Sequence, residues 1–140
     1  FFFDATFVFS DKFTCTKMKL KVDIVKAKDL KDADVLSKSD PYCRLKCNLC
    51  KDLPYCSEFV KNNLNPEWNE TAELELEGDV SEGTLEAWVL DKDRFSDEDL
   101  GSVNIKLSDI QANKGMEDWF DLTLKDGTKK GQLYLKLTLV

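Results

Sequence analysis

From Met18 onward the chain alternates apolar and polar residues with a period of two. Met18, Leu20, Val22 and Ile24 fall on one side, and Lys19, Lys21 and Asp23 on the other. A helix would need a period of 3.6, so this is a strand with one buried face. The same period returns at Tyr42 to Lys46, at Ala72, Leu74 and Leu76 against Glu73, Glu75 and Glu77, and at Leu85, Ala87 and Val89 against Glu86 and Trp88. Val103, Ile105 and Leu107 repeat it. After a short polar segment, with Ser108 as a candidate helix cap, come Trp119 to Leu124 and the closing series Leu133, Leu135, Leu137 and Leu139. A further short strand is expected near Glu58 to Lys61. Turn signals such as Asn65-Pro66, Glu82-Gly83 and Asp126-Gly127 punctuate the series.

Strands with one polar and one apolar side bury the apolar sides against each other. The expected fold is therefore all-β, an eight-stranded antiparallel β-sandwich of two four-stranded sheets. With 42% apolar residues in a chain of 140, there is material for a single core. The expected division is residues 17–140 as the sandwich and residues 1–16 as an N-terminal extension. The extension is rich in phenylalanine, but it carries Asp4 and has no basic lead-in, so it lacks the form of a signal peptide.

Two acidic patterns interrupt the alternation at strand ends. Asp34 and Asp40 lie six apart, and Asp91, Asp93 and Asp99 form an Asp-x-Asp-x5-Asp run. Close carboxylate pairs at one end of a sheet repel by about 4 kcal/mol at a surface-like dielectric unless a cation lies between them. Calcium suits such a place, because it takes about six to eight oxygens in irregular loop geometry. Pro41 disfavours the helical region for Asp40 and holds it extended at the mouth of the next strand. Lys92, between two aspartates, offers its carbonyl, and Gly101 lets the chain turn back. An EF-hand is excluded: Phe95 stands at its fifth position, Ser96 replaces the sixth-position glycine, and Ser102 replaces the glutamate at the twelfth. Asp32, Asp97 and Glu98 fit ordinary turn chemistry, in which a carboxylate caps nearby backbone.

Other chemistries are narrowed by what the chain lacks. It has no histidine, which removes His-based acid/base catalysis and Ser-His-Asp or Cys-His nucleophile pairs, and the expectation is a non-enzymatic domain. A formal charge of −7 argues against nucleic acid, or a constitutively bound anionic membrane, as partner. No apolar run approaches the roughly 20 residues that span a bilayer. Of five cysteines, four crowd between Cys43 and Cys56 without the paired Cys-x2-Cys spacing of zinc sites. Cys43 and Cys47 share strand parity with Leu45 and are expected to pack as small apolar residues, while a Cys50 to Cys56 bridge stays open. The odd count favours a reducing compartment.

Four motifs together carry a resemblance: Ala27-Lys-Asp-Leu30; Asp34 with Ser39-Asp-Pro-Tyr42; Asn65-Pro-Glu-Trp-Asn-Glu70; and Asp91-Lys-Asp93 through Asp99-Leu-Gly101. From about Met18 to Val140 the chain resembles a C2 domain, the calcium-dependent phospholipid-binding sandwich. Gly131 to Val140 is similar to the closing strand of that family's second topology. The resemblance implies that Asp34, Asp40, Asp91, Asp93 and Asp99 bind calcium, assisted by backbone oxygens at Ala33 and Lys92, with Ser96 as an extra ligand. It further implies that Val35 and Leu36 of the first loop, with Arg94 and Phe95 of the third, enter the lipid surface. Burying a side chain such as Phe95 is worth about 1.5–3 kcal/mol, too little to hold a domain alone. Calcium would then switch the acidic mouth from repulsion to attachment on an anionic membrane with phosphatidylserine-like head groups, making the domain cytoplasmic and peripheral. Some relatives bind phosphoinositides on a basic concave face; Arg44, Lys46 and Lys61 could contribute here, but Cys56 and Glu58 interrupt the pattern, and a solvated strand face is preferred. The alternative function is a protein-interaction domain in which calcium is structural or absent.

Overall fold

The computed structural model describes residues 18–32, 39–93, 96–112 and 114–140. Among these residues there are eight strands, a short helix and a 3-10 turn. The strands are β1 (Met18–Lys28), β2 (Pro41–Cys47), β3 (Tyr55–Cys56), β4 (Glu67–Leu76), β5 (Thr84–Asp91), β6 (Glu98–Lys106), β7 (Met116–Thr123) and β8 (Lys129–Leu139). Helix α1 spans Leu107–Ala112, and the 3-10 turn spans Val80–Glu82.

Each strand lies antiparallel to its neighbours in the order β3-β2-β5-β6-β7-β8-β1-β4. Strand β6 meets β7 only through Ser102 opposite Thr123. That single pairing divides the ladder into two four-stranded sheets, β3-β2-β5-β6 and β7-β8-β1-β4, which close face to face as a sandwich. The closing strand β8 lies between β7 and β1, as the C-terminal pattern implied.

Parity decides what lies between the sheets. Leu20, Val22 and Ile24 of β1, Leu133, Leu135 and Leu137 of β8, Cys43 and Leu45 of β2, and Leu85, Ala87 and Val89 of β5 are all fully buried in one cluster. Their polar alternates stand outside, so each strand contributes one wet and one dry face.

Three expected boundaries move. The short strand expected at Glu58 to Lys61 is β3, at Tyr55–Cys56, where Arg44 faces Cys56 and Leu45 faces Tyr55. Beyond it the Ser57 N–H donates to the Cys43 carbonyl at 2.8 Å, and the Val60 N–H donates to the Pro41 carbonyl at 3.0 Å. Three residues advance on this side against two on β2, so the ladder bulges and regular pairing ends. Ser57 Oγ satisfies the Cys43 N–H that the bulge would strand. Secondly, Leu107 starts α1 rather than ending β6; it remains buried, and its N–H donates to the Gly83 carbonyl at 3.0 Å. Thirdly, Ser108 lies inside the first turn of α1 and is not its cap. No helix among the described residues is long and apolar enough to cross a membrane.

Candidate metal centre at the acidic rim

The acidic rim is built where the start of β2 meets the end of β5. Pro41 opens β2 and sits opposite Asp91, the last residue of β5. With Asp40 held extended before the proline, its N–H points across the sheet and donates to Asp91 Oδ1 at 2.8 Å. In return the Lys92 N–H donates to the Asp40 carbonyl at 3.0 Å. The Asp40 carboxylate accepts from the Asn62 N–H at 2.7 Å. Asp91 is only 3% exposed, so this carboxylate is fixed by its surroundings.

Two of the sequence motifs brace the same corner. Trp68, nearly buried, donates its indole N–H to the Pro41 carbonyl at 3.2 Å and pins the start of β2. Asn65 Oδ1 accepts from the Asp29 N–H at 3.0 Å, the Leu30 N–H donates to the Leu64 carbonyl, and the Asn63 N–H donates to the Ser39 carbonyl. The Asn65–Glu70 and Ala27–Leu30 motifs thus act together, holding both ends of the first acidic loop against the β4 approach.

In the third loop, Asp93 is exposed, and its N–H donates to Asp97 Oδ1 at 2.9 Å. Asp97 Oδ2 in turn accepts from the Tyr42 hydroxyl at 2.5 Å. Burial alone would raise the Asp97 pKa, but the Tyr42 hydroxyl, the Asp93 N–H and the nearby Lys92 and Arg44 charges outweigh it and hold the carboxyl below its usual range. Tyr42 is pushed the other way, up to about 12, first by burial and then by the Asp97 carboxylate. Ser96 is exposed beside them.

Asp99 lies within β6, and both of its oxygens meet main chain. Oδ1 accepts from the Gly101 N–H at 3.2 Å and Oδ2 from the Lys125 N–H at 3.1 Å. Its carboxylate thereby ties β6 to the β7–β8 turn. Between these elements runs a cleft of about 530 Å³ lined by Tyr42, Arg44, Trp88, Asp93, Asp97 and Lys125, among others. The Arg44 guanidinium stacks over Trp88, its partner across β2 and β5, at 4.9 Å.

The described residues therefore bring Asp40 and Asp91 together with the Lys92 backbone, and bring Asp93 against Asp97. Ala33, Asp34, Val35, Leu36, Arg94 and Phe95 lie outside the described residues. Among the described residues no set of three or more His, Cys, Asp or Glu side chains is gathered into a metal-holding group. The acids at the rim fit calcium in kind, being hard oxygen donors, and a carboxylate has lone pairs enough to accept one N–H and still face a cation. The spacing of Asp97 points only to turn chemistry. Its bond to the Asp93 N–H has that local character, but its bond to Tyr42, 55 residues away, leaves no signal in the spacing.

The cysteines separate by parity. Cys43 and Cys47 are buried in the core, Cys50 is half-buried and Cys56 exposed, and all four are free thiols. The bridge left open between Cys50 and Cys56 is therefore absent. Burial raises the Cys43 and Cys47 pKa values, which keeps both protonated and inert.

The family profile described as C2 domain matches residues 18–122. A calcium-dependent lipid-binding protein of Arabidopsis thaliana is 36% identical over 126 residues, covering 85% of this chain and 24% of its own length. Mouse extended synaptotagmin-2 is 34% identical over 133 residues, covering 90% of this chain and 15% of its own length. The chain thus spans a quarter or less of these relatives. A solved structure of two consecutive C2 domains of extended synaptotagmin 2, calcium bound, superposes with a TM-score of 0.75 at 31% identity, covering 86% of this chain and 45% of that one.

Proposed function

This chain belongs to the C2 domain family, and we propose that it is a calcium-regulated module that docks on anionic phospholipid membranes. The observation that carries the proposal is the stitched corner at the rim: the Asp40 N–H at the mouth of β2 donates to the Asp91 carboxylate at the end of β5, so two aspartates distant in sequence stand at one end of the sandwich, with Asp91 buried. A cation bound at such an acidic rim would add favourable charge interaction to the buried carboxylate. The relatives named for calcium-dependent lipid binding, and the calcium-bound neighbour, support the same reading.

In this reading Asp34, Asp40, Asp91, Asp93 and Asp99 hold calcium with the Ala33 and Lys92 carbonyls, and Ser96 is an extra ligand. Each bound ion would add two positive charges at the rim of a chain whose formal charge is −7. Calcium supplies open coordination positions for lipid phosphate or serine carboxylate oxygens. Val35, Leu36, Arg94 and Phe95 would then meet the surface, the apolar members leaving water and the arginine pairing with anionic head groups. No chemical step on the lipid is part of this function, and the phosphatidylserine preference rests on charge.

Sedimentation with phosphatidylserine vesicles, with calcium and with chelator, tests the proposal. Binding that requires calcium and weakens at high salt is expected. Equal binding in both conditions would reject it. Calorimetric heat with calcium but no vesicle affinity would move the assignment to a protein-docking domain with structural calcium.

A further inference from the structure

We infer that Tyr42 and Asp97 form a clasp that positions Asp93 for calcium, so that Tyr42, a neutral residue, controls the affinity of the acidic rim. The inference rests on the function proposed above. Three facts carry it. Asp97 uses one oxygen on the Asp93 N–H and the other on the Tyr42 hydroxyl, so a single carboxylate joins the third loop to strand β2. Tyr42 is itself fixed, since β2 pairs it with Leu90 of β5 and Pro41 beside it is held by Trp68. Asp93, by contrast, is exposed and lies two residues beyond Asp91, the end of β5. The Asp97 carboxylate is thus a link from a rigid strand to a ligand beyond the end of β5.

The physical effect is preorganisation. A ligand held in its binding geometry before the cation arrives loses less conformational freedom on binding. Removing the link leaves the donor set intact and affects only how often Asp93 is in place. A charge-assisted hydrogen bond, worth about tenfold to a hundredfold, sets the ceiling, and because the link acts on placement alone a smaller effect of about fivefold to tenfold in affinity is expected.

Tyr42→Phe is the informative variant, because it removes one hydroxyl and no charge. We expect its calcium dissociation constant to rise about fivefold, with Asp97→Ala equal or worse and Asp97→Asn closer to the parent, because an amide oxygen still accepts the Asp93 N–H. If Asp97 were instead a charged calcium ligand, Asp97→Asn would lose as much as Asp97→Ala, and Tyr42→Phe would lose nothing. The second readout is amide hydrogen exchange of calcium-free protein. Asp93 should exchange faster in Tyr42→Phe while Val89 in the same strand region keeps its protection. Unchanged Asp93 exchange, or unchanged calcium affinity in Tyr42→Phe, overturns the clasp while leaving the functional reading standing. Failure of the parent protein to bind calcium overturns the functional reading itself and this inference with it.

Discussion

The main-chain N–H of Asp40 donates to a carboxylate oxygen of Asp91 at 2.8 Å, across 51 residues of chain. One acid of the rim is therefore a structural acceptor for the other's backbone. Their side chains have separate tasks: Asp91 closes the β2–β5 ladder, and Asp40 caps the Asn62 N–H.

Asp91→Ala should remove the partner of a part-buried N–H and destabilise the calcium-free domain by about 1–3 kcal/mol. Asp91→Asn retains an acceptor oxygen and should lose less than half of that. Urea denaturation of both variants in chelator checks the order; equal losses would mean that the Asp91 charge, not its hydrogen bond, holds the corner.

Asp93→Asn should behave differently, because that side chain is exposed. Stability in chelator should stay within about 0.5 kcal/mol of the parent, or rise as one like charge is lost. Calcium affinity should fall by about tenfold or more, since a charged donor becomes a neutral one. Thermal melts in chelator and calorimetric titration separate the two effects, and a large melting loss without calcium would contradict this division.

Gly101 has φ of +124°, and a Cβ there would lie 2.7 Å from Leu122 Cβ. Gly101→Ala should destabilise the domain by about 2–4 kcal/mol through backbone strain and overlap with a fully buried leucine. Equilibrium denaturation measures it. A neutral result would mean that β6 can shift away from β7 at its single shared pairing.

All three tyrosines donate to carboxylates: Tyr42 to Asp97, Tyr55 to Glu70 and Tyr134 to Glu117. Tyr42 and Tyr55 are raised from 10 to about 12, each first by burial and then by its acidic partner, and Tyr134 is raised as well, first by its bond to Glu117. A raised folded pKa on a group that charges on losing its proton means the folded state holds the proton longer. The stability contributed is complete below pH 10 and is lost as pH climbs from 10 towards 12. Tyrosinate absorbance should therefore lag in the folded protein, with Tyr42→Phe removing one of the late phases. On the acid side the lowered Asp97 contributes stability above the unfolded carboxyl range and loses it as pH falls through its folded value.

Of the four cysteines among the described residues, brief alkylation of the native protein should modify Cys56 first, Cys50 more slowly, and Cys43 and Cys47 hardly at all, following exposure and the raised pKa values of the buried pair. Peptide mass spectrometry reads the order. Early labelling of Cys43 would show that β2 opens from β5.

Much of the sandwich is legible because a half-buried strand writes its parity into sequence. The series Leu20, Val22, Ile24 and Leu133, Leu135, Leu137 name the core facing from each strand. Strand β3 lies earlier than the pattern near Glu58 suggests because only Tyr55 and Cys56 pair, and the bulge at Ser57 hands the next bonds to side chain and irregular backbone. At the rim, the residue before a proline is extended, and Asp40 accordingly stands at the mouth of β2. The direction of Asp99 is not legible, because the Lys125 N–H that donates to it comes from a turn 26 residues away.

Composition and alternation alone determined that this chain is an all-β sandwich carrying acids between its strands, because burial of alternate residues depends only on local period. The tertiary structure decided which acids meet. Asp40 reaches Asp91, Tyr42 reaches Asp97 and Asp99 reaches Lys125 only once antiparallel register has set which strand ends lie together. Hydrogen bonds across 26 to 55 residues follow from that register, and local sequence carries no record of it.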